Sequence, residues 1–225
     1  MKMNTKSTKP HIGVCTSNGF VFVPIPKNAS TTFRTGFFKD QTEISLPLTD
    51  DNSSKTFFSI FRNPFERFIA GFLELNQRSW SSYKDYPIFH NITKKSEWYN
   101  TSDPIERFLK FIDTIDIYDD VEELHILNQT FFYNKAPKID YLLDFNTLND
   151  SMTSFCKEYK IETLMGSSDI PIEWPCRQKS YRSMLYTLVN TNSEVKDKIR
   201  ARVQDDIDFY IENKLYIVNS SLIFQ

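Results

Sequence analysis

The sequence predicts an α/β fold with a central, mainly parallel sheet. Three observations predict it: two short apolar segments near the start are each followed by a polar turn and a helix-like segment, and a third such succession comes later in the chain. Repeated strand–turn–helix successions are typical of parallel sheets, because joining two parallel strands needs a long crossover connection. The chain of 225 residues is long enough for one domain with a substantial core.

The first succession covers Gly19–Phe38 and reads GFVFVPIPKNASTTFRTGFF. Its apolar start predicts a buried strand that ends at Pro24 and Pro26, since proline cannot donate to a strand ladder. A polar turn follows and leads into a helix; its residues are Lys27, Asn28, Ala29, Ser30, Thr31 and Thr32. The first N–H groups of a helix have no partner inside it, and the helix dipole favours an anion beside them. With a lysine and three hydroxyls added, this turn suits a phosphate or sulfate ester.

The second succession begins with the apolar segment Lys55–Phe61 and turns at Arg62. Asn63 is a favourable N-cap, and Pro64 suits the first position of the helix that follows. Arg62 is therefore expected at the carboxyl end of a strand, the edge of an α/β sheet at which ligands bind. An arginine can hold a phosphate with two parallel hydrogen bonds. The two turns together predict a site for a ligand with phosphates at both ends.

These segments resemble the motifs of sulfotransferases that use 3′-phosphoadenosine 5′-phosphosulfate (PAPS). PIPKNASTTFR resembles the 5′-phosphosulfate loop, FSIFRNPFERFIAGFLE resembles the 3′-phosphate motif R-[DN]-P-x-x-R-x-x-S, and ELHILNQTFF resembles the H-x-x-x-Q segment of the carbohydrate branch. The resemblance covers about residues 19–217. It implies a P-loop-like three-layer α/β/α fold, PAPS as the donor, a carbohydrate or other hydroxyl-bearing acceptor, and no required metal. One position departs from the motif, because its closing serine is Ala70 here.

The resemblance also implies how the donor is held. Residues 27–32 bind the 5′-phosphosulfate, and the Lys27 ammonium neutralises charge on the bridging oxygen during in-line transfer. Arg62 binds the 3′-phosphate. Because Ala70 removes a hydroxyl there, Lys179 and Ser180, from a later basic segment, are expected to help hold the same phosphate; weaker binding is the alternative.

His125 is the predicted base, since histidine is the side chain best suited to take a proton near neutral pH. A helix from about Val121 to Phe132 is expected to contain it, with Gln129 one turn later orienting the donor or acceptor. A purely structural or cofactor-contacting histidine is the alternative, and a carboxylate could serve as base instead; the candidates are Glu74, Glu122 and Glu123.

Later segments complete the predicted elements. Asp103 opens a helix, Lys138–Phe145 is a third strand, and Leu148–Tyr159 is an amphipathic helix. The last helix is expected to cover Ser193–Lys214, with three of its aspartates facing outward: Asp205, Asp206 and Asp208. The aromatic segment Arg78–Thr101 either lines an acceptor site or packs as a surface loop.

Composition excludes some classes of function. The formal net charge of −2 argues against a general nucleic-acid-binding protein, and three widely spaced cysteines indicate free thiols in a reducing compartment. Residues 1–12 are expected to be a disordered start, followed by a single domain over 13–225. No segment has the apolar length of a signal peptide core or a membrane span, which predicts a cytoplasmic protein.

Two other functions stay open from the residues alone. A P-loop kinase would hold its nucleotide with a similar strand–turn–helix arrangement, but G-x-x-x-x-G-K-[ST] is absent and the turn contains no glycine. A catalytically inactive protein that binds PAPS or its 3′,5′-bisphosphate product is the other alternative, and Ala70 gives it some support.

Overall fold

The computed structural model of the chain describes residues 11–15, 19–30, 42–46, 54–80, 97–115, 125–134, 136, 138–161, 179–213 and 217–218. Internal contacts divide the chain into two compact units. We call residues 9–63, 128–175 and 206–225 the sheet unit, and residues 1–8, 64–127 and 176–205 the helical unit.

The strands of the sheet unit form a mixed sheet. They are β1 (His11–Cys15), β2 (Phe20–Phe22), β3 (Thr42–Leu46), β4 (Thr56–Phe61), β5 (Tyr141–Asp144) and β6 (Ile217–Val218). Their order is β3-β1-β2-β4-β5-β6, in which β2, β4, β5 and β6 pair in parallel and β1 pairs antiparallel with β2 and β3. The predicted α/β class with a mainly parallel sheet is confirmed. Strand β1 begins at His11, inside the range predicted to be disordered.

The described helices follow in chain order. They are α1 (Pro64–Trp80), α2 (Pro104–Thr114), α3 (Gln129–Tyr133), α4 (Leu148–Tyr159), α5 (Lys179–Thr191), α6 (Ser193–Arg202) and α7 (Gln204–Asn213). Short 3-10 helices cover Glu97–Asn100 and Phe145–Thr147. None of the helices in the described ranges is both long enough and apolar enough to cross a membrane.

Aromatic packing explains why the sheet unit folds as it does. The register places Phe22 of β2 opposite Phe58 of β4, and their rings lie 5.3 Å apart. Phe155 of α4 lies 4.9 Å from the Phe58 ring, so α4 packs on this face of the sheet. Burying such rings removes apolar area from water and is the main stabilising contribution here.

The helical unit has an aromatic core of its own. Phe72 of α1 is fully buried and contacts the rings of Trp98, Phe108, Phe111 and Tyr181. Trp98 is therefore a core residue, which favours the packing interpretation for this part of the aromatic segment. Residues 81–96 of that segment lie outside the described residues.

Two expected helices differ from the structure. His125 and the two residues after it form a turn, and the described helix begins only at Gln129. The carbonyl of Leu127 accepts a hydrogen bond from the Arg67 side chain, so the backbone is held in a turn by a tertiary contact. The expected last helix is divided at Val203, whose N–H donates to the carbonyls of both Ile199 and Arg200 and ends α6.

Candidate functional site

The turn after β2 lies at the carboxyl end of the sheet. The N–H of Val23 donates to Phe58 O at 2.8 Å, which continues the parallel pairing beyond β2. The chain then turns at Pro26, and the N–H of Asn28 donates to Ile25 O at 3.0 Å. Because β4 runs parallel to β2, the residues that follow β4 lie at the same edge.

The backbone of this turn has an uncommon conformation. Lys27 has φ 70° and Ala29 has φ 57°, both in the left-handed region that side chains with a Cβ adopt rarely. When left-handed residues alternate with residues of other conformations, successive backbone N–H groups point toward one concave side. Such a concavity of N–H groups can bind an anion. Strain of this kind persists where the surroundings hold it, and it concentrates at ligand-binding positions.

Arg62 joins the second turn to the first. It follows β4 directly, is only 5% exposed, and its Nη1 donates to the carbonyl of Lys27 at 2.8 Å. Its Cζ lies 4.4 Å from the centroid of the Phe145 ring, a cation–π contact that holds the plane of the guanidinium. The structure therefore brings residues 27–30 and Arg62 together, with both cationic residues at one edge of the sheet.

A buried amide connects the two turns. Gln129 is fully buried; its Oε1 accepts from Asn28 Nδ2 at 2.5 Å and from the Arg62 N–H at 2.9 Å, and its Nε2 donates to Arg62 O at 2.9 Å. Asn28 Nδ2 also donates to Ile60 O at 2.7 Å. Asn28 is predicted to bind the ligand, and its N–H and Nδ2 serve internal bonds. Its described contacts shape the turn.

Asp206 completes the network, and sequence reasoning placed it wrongly. It was expected to face outward but is 1% exposed, whereas Asp205 and Asp208 are exposed as expected. Its Oδ1 accepts from the Thr130 N–H at 3.0 Å, in the first turn of α3, and its Oδ2 accepts from Gln129 Nε2 at 3.3 Å. The buried neighbours Ile207 and Tyr210 were the signal that this side of the helix faces inward.

His125 belongs to the helical unit and is partly exposed. Arg67, itself buried, donates to Leu127 O, and the backbone of His125 approaches α1 so closely that a Cβ at Gly71 would overlap the His125 carbonyl oxygen. The turn that contains His125 is therefore fixed against α1. Of the carboxylate alternatives, Glu74 lies on α1, and the other two lie outside the described residues.

The remaining predicted site residues are placed as follows. Lys179 and Ser180 are the first two residues of α5, in the helical unit, and Ser180 is exposed. Thr31 and Thr32 lie outside the described residues. The roles assigned to the predicted site residues stay predictions: Lys27, Asn28, Ala29, Ser30, Thr31, Thr32, Arg62, His125, Lys179 and Ser180.

Comparison with known proteins identifies the family. A family model described as "Sulfotransferase family" matches residues 10–217, most of the chain. No curated protein and no solved structure shows a significant match.

Proposed function

The chain belongs to the sulfotransferase family, and we propose that it transfers the sulfuryl group of PAPS to a hydroxyl of a carbohydrate. The observation that supports this most is the hydrogen bond from the Arg62 guanidinium to the Lys27 carbonyl. It fixes two cationic residues, from turns after adjacent parallel strands, at a short distance from each other. A nucleotide with phosphates at both ends is the ligand that such a pair of turns fits.

Several described residues support the choice of PAPS as the donor. The turn at 27–30 offers left-handed backbone at two positions and a partly exposed lysine, and both favour an anionic group. Arg62 supplies a planar guanidinium for the 3′-phosphate. In this proposal Lys27 and the turn bind the 5′-phosphosulfate, while Lys179 and Ser180 support the 3′-phosphate where Ala70 offers no hydroxyl.

The transfer itself balances without a metal. PAPS supplies a sulfuryl group on a good leaving group; the acceptor oxygen bonds to sulfur as the bond between sulfur and the bridging oxygen breaks. The acceptor proton passes to His125. Lys27 stabilises the negative charge that builds on the bridging oxygen, and a correctly placed donor of this type is worth about 10²–10³ in turnover.

The test is a transfer assay with sulfur-labelled PAPS and a panel of glycans, run beside ATP with magnesium. Label transfer from PAPS alone supports the proposal. Transfer only from ATP would refute it, and binding of adenosine 3′,5′-bisphosphate without turnover would identify an inactive binding protein. The family match favours the first outcome over phosphoryl transfer.

Lys27→Ala and Lys27→Gly test the role of the ammonium. Both remove the charge, but only glycine accepts φ 70° without strain. We expect turnover to fall by about 10²–10³ in both variants. The free energy of unfolding should differ between them by about 1 kcal/mol in favour of glycine. If turnover falls only in proportion to the loss of stability in the two variants, a catalytic role of Lys27 is contradicted.

A further inference from the structure

We propose that Gln129 and Asp206 are positioning residues that hold the two nucleotide-binding turns in one arrangement. The inference rests on the proposed function, since it assigns these residues to the donor site. Neither side chain needs to touch the donor. Their effect passes through the backbone of Arg62 and the side chain of Asn28.

The position of Gln129 supports this assignment first. A glutamine amide has one acceptor oxygen and one NH₂ donor group, and this one uses both on the two turns. Its oxygen accepts from Asn28, in the turn after β2, and from the N–H of Arg62, in the turn after β4. Its nitrogen donates to the carbonyl of the same arginine. A single fully buried side chain thus fixes the spacing of the turns.

Asp206 adds to the bonds that fix the direction of the Gln129 amide. One carboxylate oxygen accepts from the Thr130 N–H and the other from Gln129 Nε2. A carboxylate can only accept, so it selects the NH₂ side of the amide. The oxygen of Gln129 is thereby directed to Asn28 and Arg62, which both donate to it.

The network also carries a cost that a purely structural core would avoid. Asn28 is fully buried, and within the described part of the chain its Oδ1 has no hydrogen-bond partner. A buried acceptor without a partner lowers stability. Together with the left-handed backbone on both sides of Asn28, this favours a network kept for the shape of the turn.

Asp206→Asn tests the inference with almost no change in volume. The introduced asparagine keeps an oxygen for the Thr130 N–H and presents NH₂ to Gln129. Two donors then oppose each other, so the bond between positions 206 and 129 is lost and the Gln129 amide is held less firmly against Asn28 and Arg62. Gln129→Glu instead places a second carboxylate against that of Asp206. The double variant restores a donor–acceptor pair between the two positions, although its glutamate cannot donate to Arg62 O as Gln129 does.

The readout is calorimetric binding of two nucleotides: adenosine 3′,5′-bisphosphate and adenosine 5′-phosphate. We expect Asp206→Asn and Gln129→Glu each to weaken both nucleotides by about tenfold or more, the effect of losing one well-placed interaction. Arg62→Ala should weaken the bisphosphate more than the 5′-phosphate, because it removes the contact to the 3′-phosphate as well as the bond to the Lys27 carbonyl. The double variant should bind both nucleotides more tightly than Gln129→Glu, because the bond between positions 129 and 206 returns, but less tightly than the wild type, because glutamate cannot donate to Arg62 O.

Asp140→Asn is the matched control. Its carboxylate also accepts a backbone N–H in the sheet unit, from Phe57 at 2.8 Å, but it precedes β5 and so lies at the amino end of the strands. It should bind both nucleotides as the wild type does. Circular dichroism and thermal unfolding establish whether each variant is folded. If Asp206→Asn does not fold, the affinities of Gln129→Glu and of the double variant test the inference instead.

The outcomes separate the two proposals. Wild-type protein that does not bind the bisphosphate overturns the proposed function and this inference with it. Wild-type protein that binds, beside folded single variants with unchanged affinity for both nucleotides, overturns the inference alone. Loss of bisphosphate affinity with unchanged 5′-phosphate affinity also overturns it, because the network would then act on one turn only.

Discussion

Gly71→Ala should destabilise the protein, although alanine is the better helix former. Gly71 lies within α1, where replacing glycine by alanine normally gains about 1 kcal/mol. Here the added Cβ would overlap the His125 carbonyl oxygen and lie 3.1 Å from its carbon and 3.2 Å from Ile126 Cγ2. Carbon atoms prefer separations of about 3.5–4.0 Å, so the turn must move by roughly half an ångström or more.

The magnitude follows from what resists this movement. The contact is with backbone, and the same turn is held to α1 by the hydrogen bond from Arg67 to Leu127 O. Overpacking costs about 1–3 kcal/mol, and a backbone contact belongs at the upper end. After the helix gain is subtracted, the free energy of unfolding should fall by about 2 kcal/mol. For a chain of this size that lowers the midpoint temperature by about 4–8 °C.

Urea and thermal unfolding measure the effect, with Ala70→Gly as the control. That neighbouring substitution reports the helix contribution within the same turn of α1 and should cost about 1 kcal/mol. Turnover of folded Gly71→Ala should also fall, by up to about 10²-fold, because the turn displaced by the new methyl group contains the proposed base. A variant about 1 kcal/mol more stable than wild type would refute the close approach of this turn to α1.

Two further predictions concern groups outside the donor site. Arg107→Lys should lower the free energy of unfolding by about 2–3 kcal/mol, since a lysine cannot replace the buried guanidinium that donates to Thr101 O and, at 2.8 Å, to Asn76 Oδ1. Urea unfolding checks this, and replacing the partly exposed Lys110 on the same helix by alanine should change the free energy of unfolding by less than about 0.5 kcal/mol. Burial raises the pKa of the Cys156 thiol from 9.0 to about 11. In a variant whose other two cysteines are serine, Cys156 should therefore react with a disulfide reagent at pH 8 about a hundredfold more slowly in the native protein than in urea. Between about pH 9 and 11 only the unfolded chain loses this proton, so the contribution of Cys156 to stability should fall as pH rises through that range. Equal reaction rates in the native and unfolded protein would contradict the burial of the thiol.

Local patterns in the sequence predicted most of the fold. The helix Leu148–Tyr159 has the bounds that its periodicity predicts, and Asp103 caps the helix that starts at Pro104 by accepting from the Glu106 N–H at 2.7 Å. Strand β5 lies within the predicted third strand. These features depend on neighbours a few residues apart, and such neighbours are visible in a linear pattern.

The predictions that failed depend on partners far away in the chain. The turn at His125 is held by Arg67, 60 residues before Leu127, and no local periodicity reports that bond. Asp206 carries a charge and was therefore expected to face solvent. It is buried because a backbone N–H and an amide 76 and 77 residues earlier need an acceptor.

The amino-acid sequence by itself determined the α/β class, the two turns and their cationic residues, because turn chemistry and strand ends are local properties of the chain. Tertiary structure alone decided that Arg62 donates to the carbonyl of Lys27 and that a buried glutamine and aspartate hold both turns. A buried polar group must find its partner wherever the fold provides one. Such partners are fixed by the packing of distant segments.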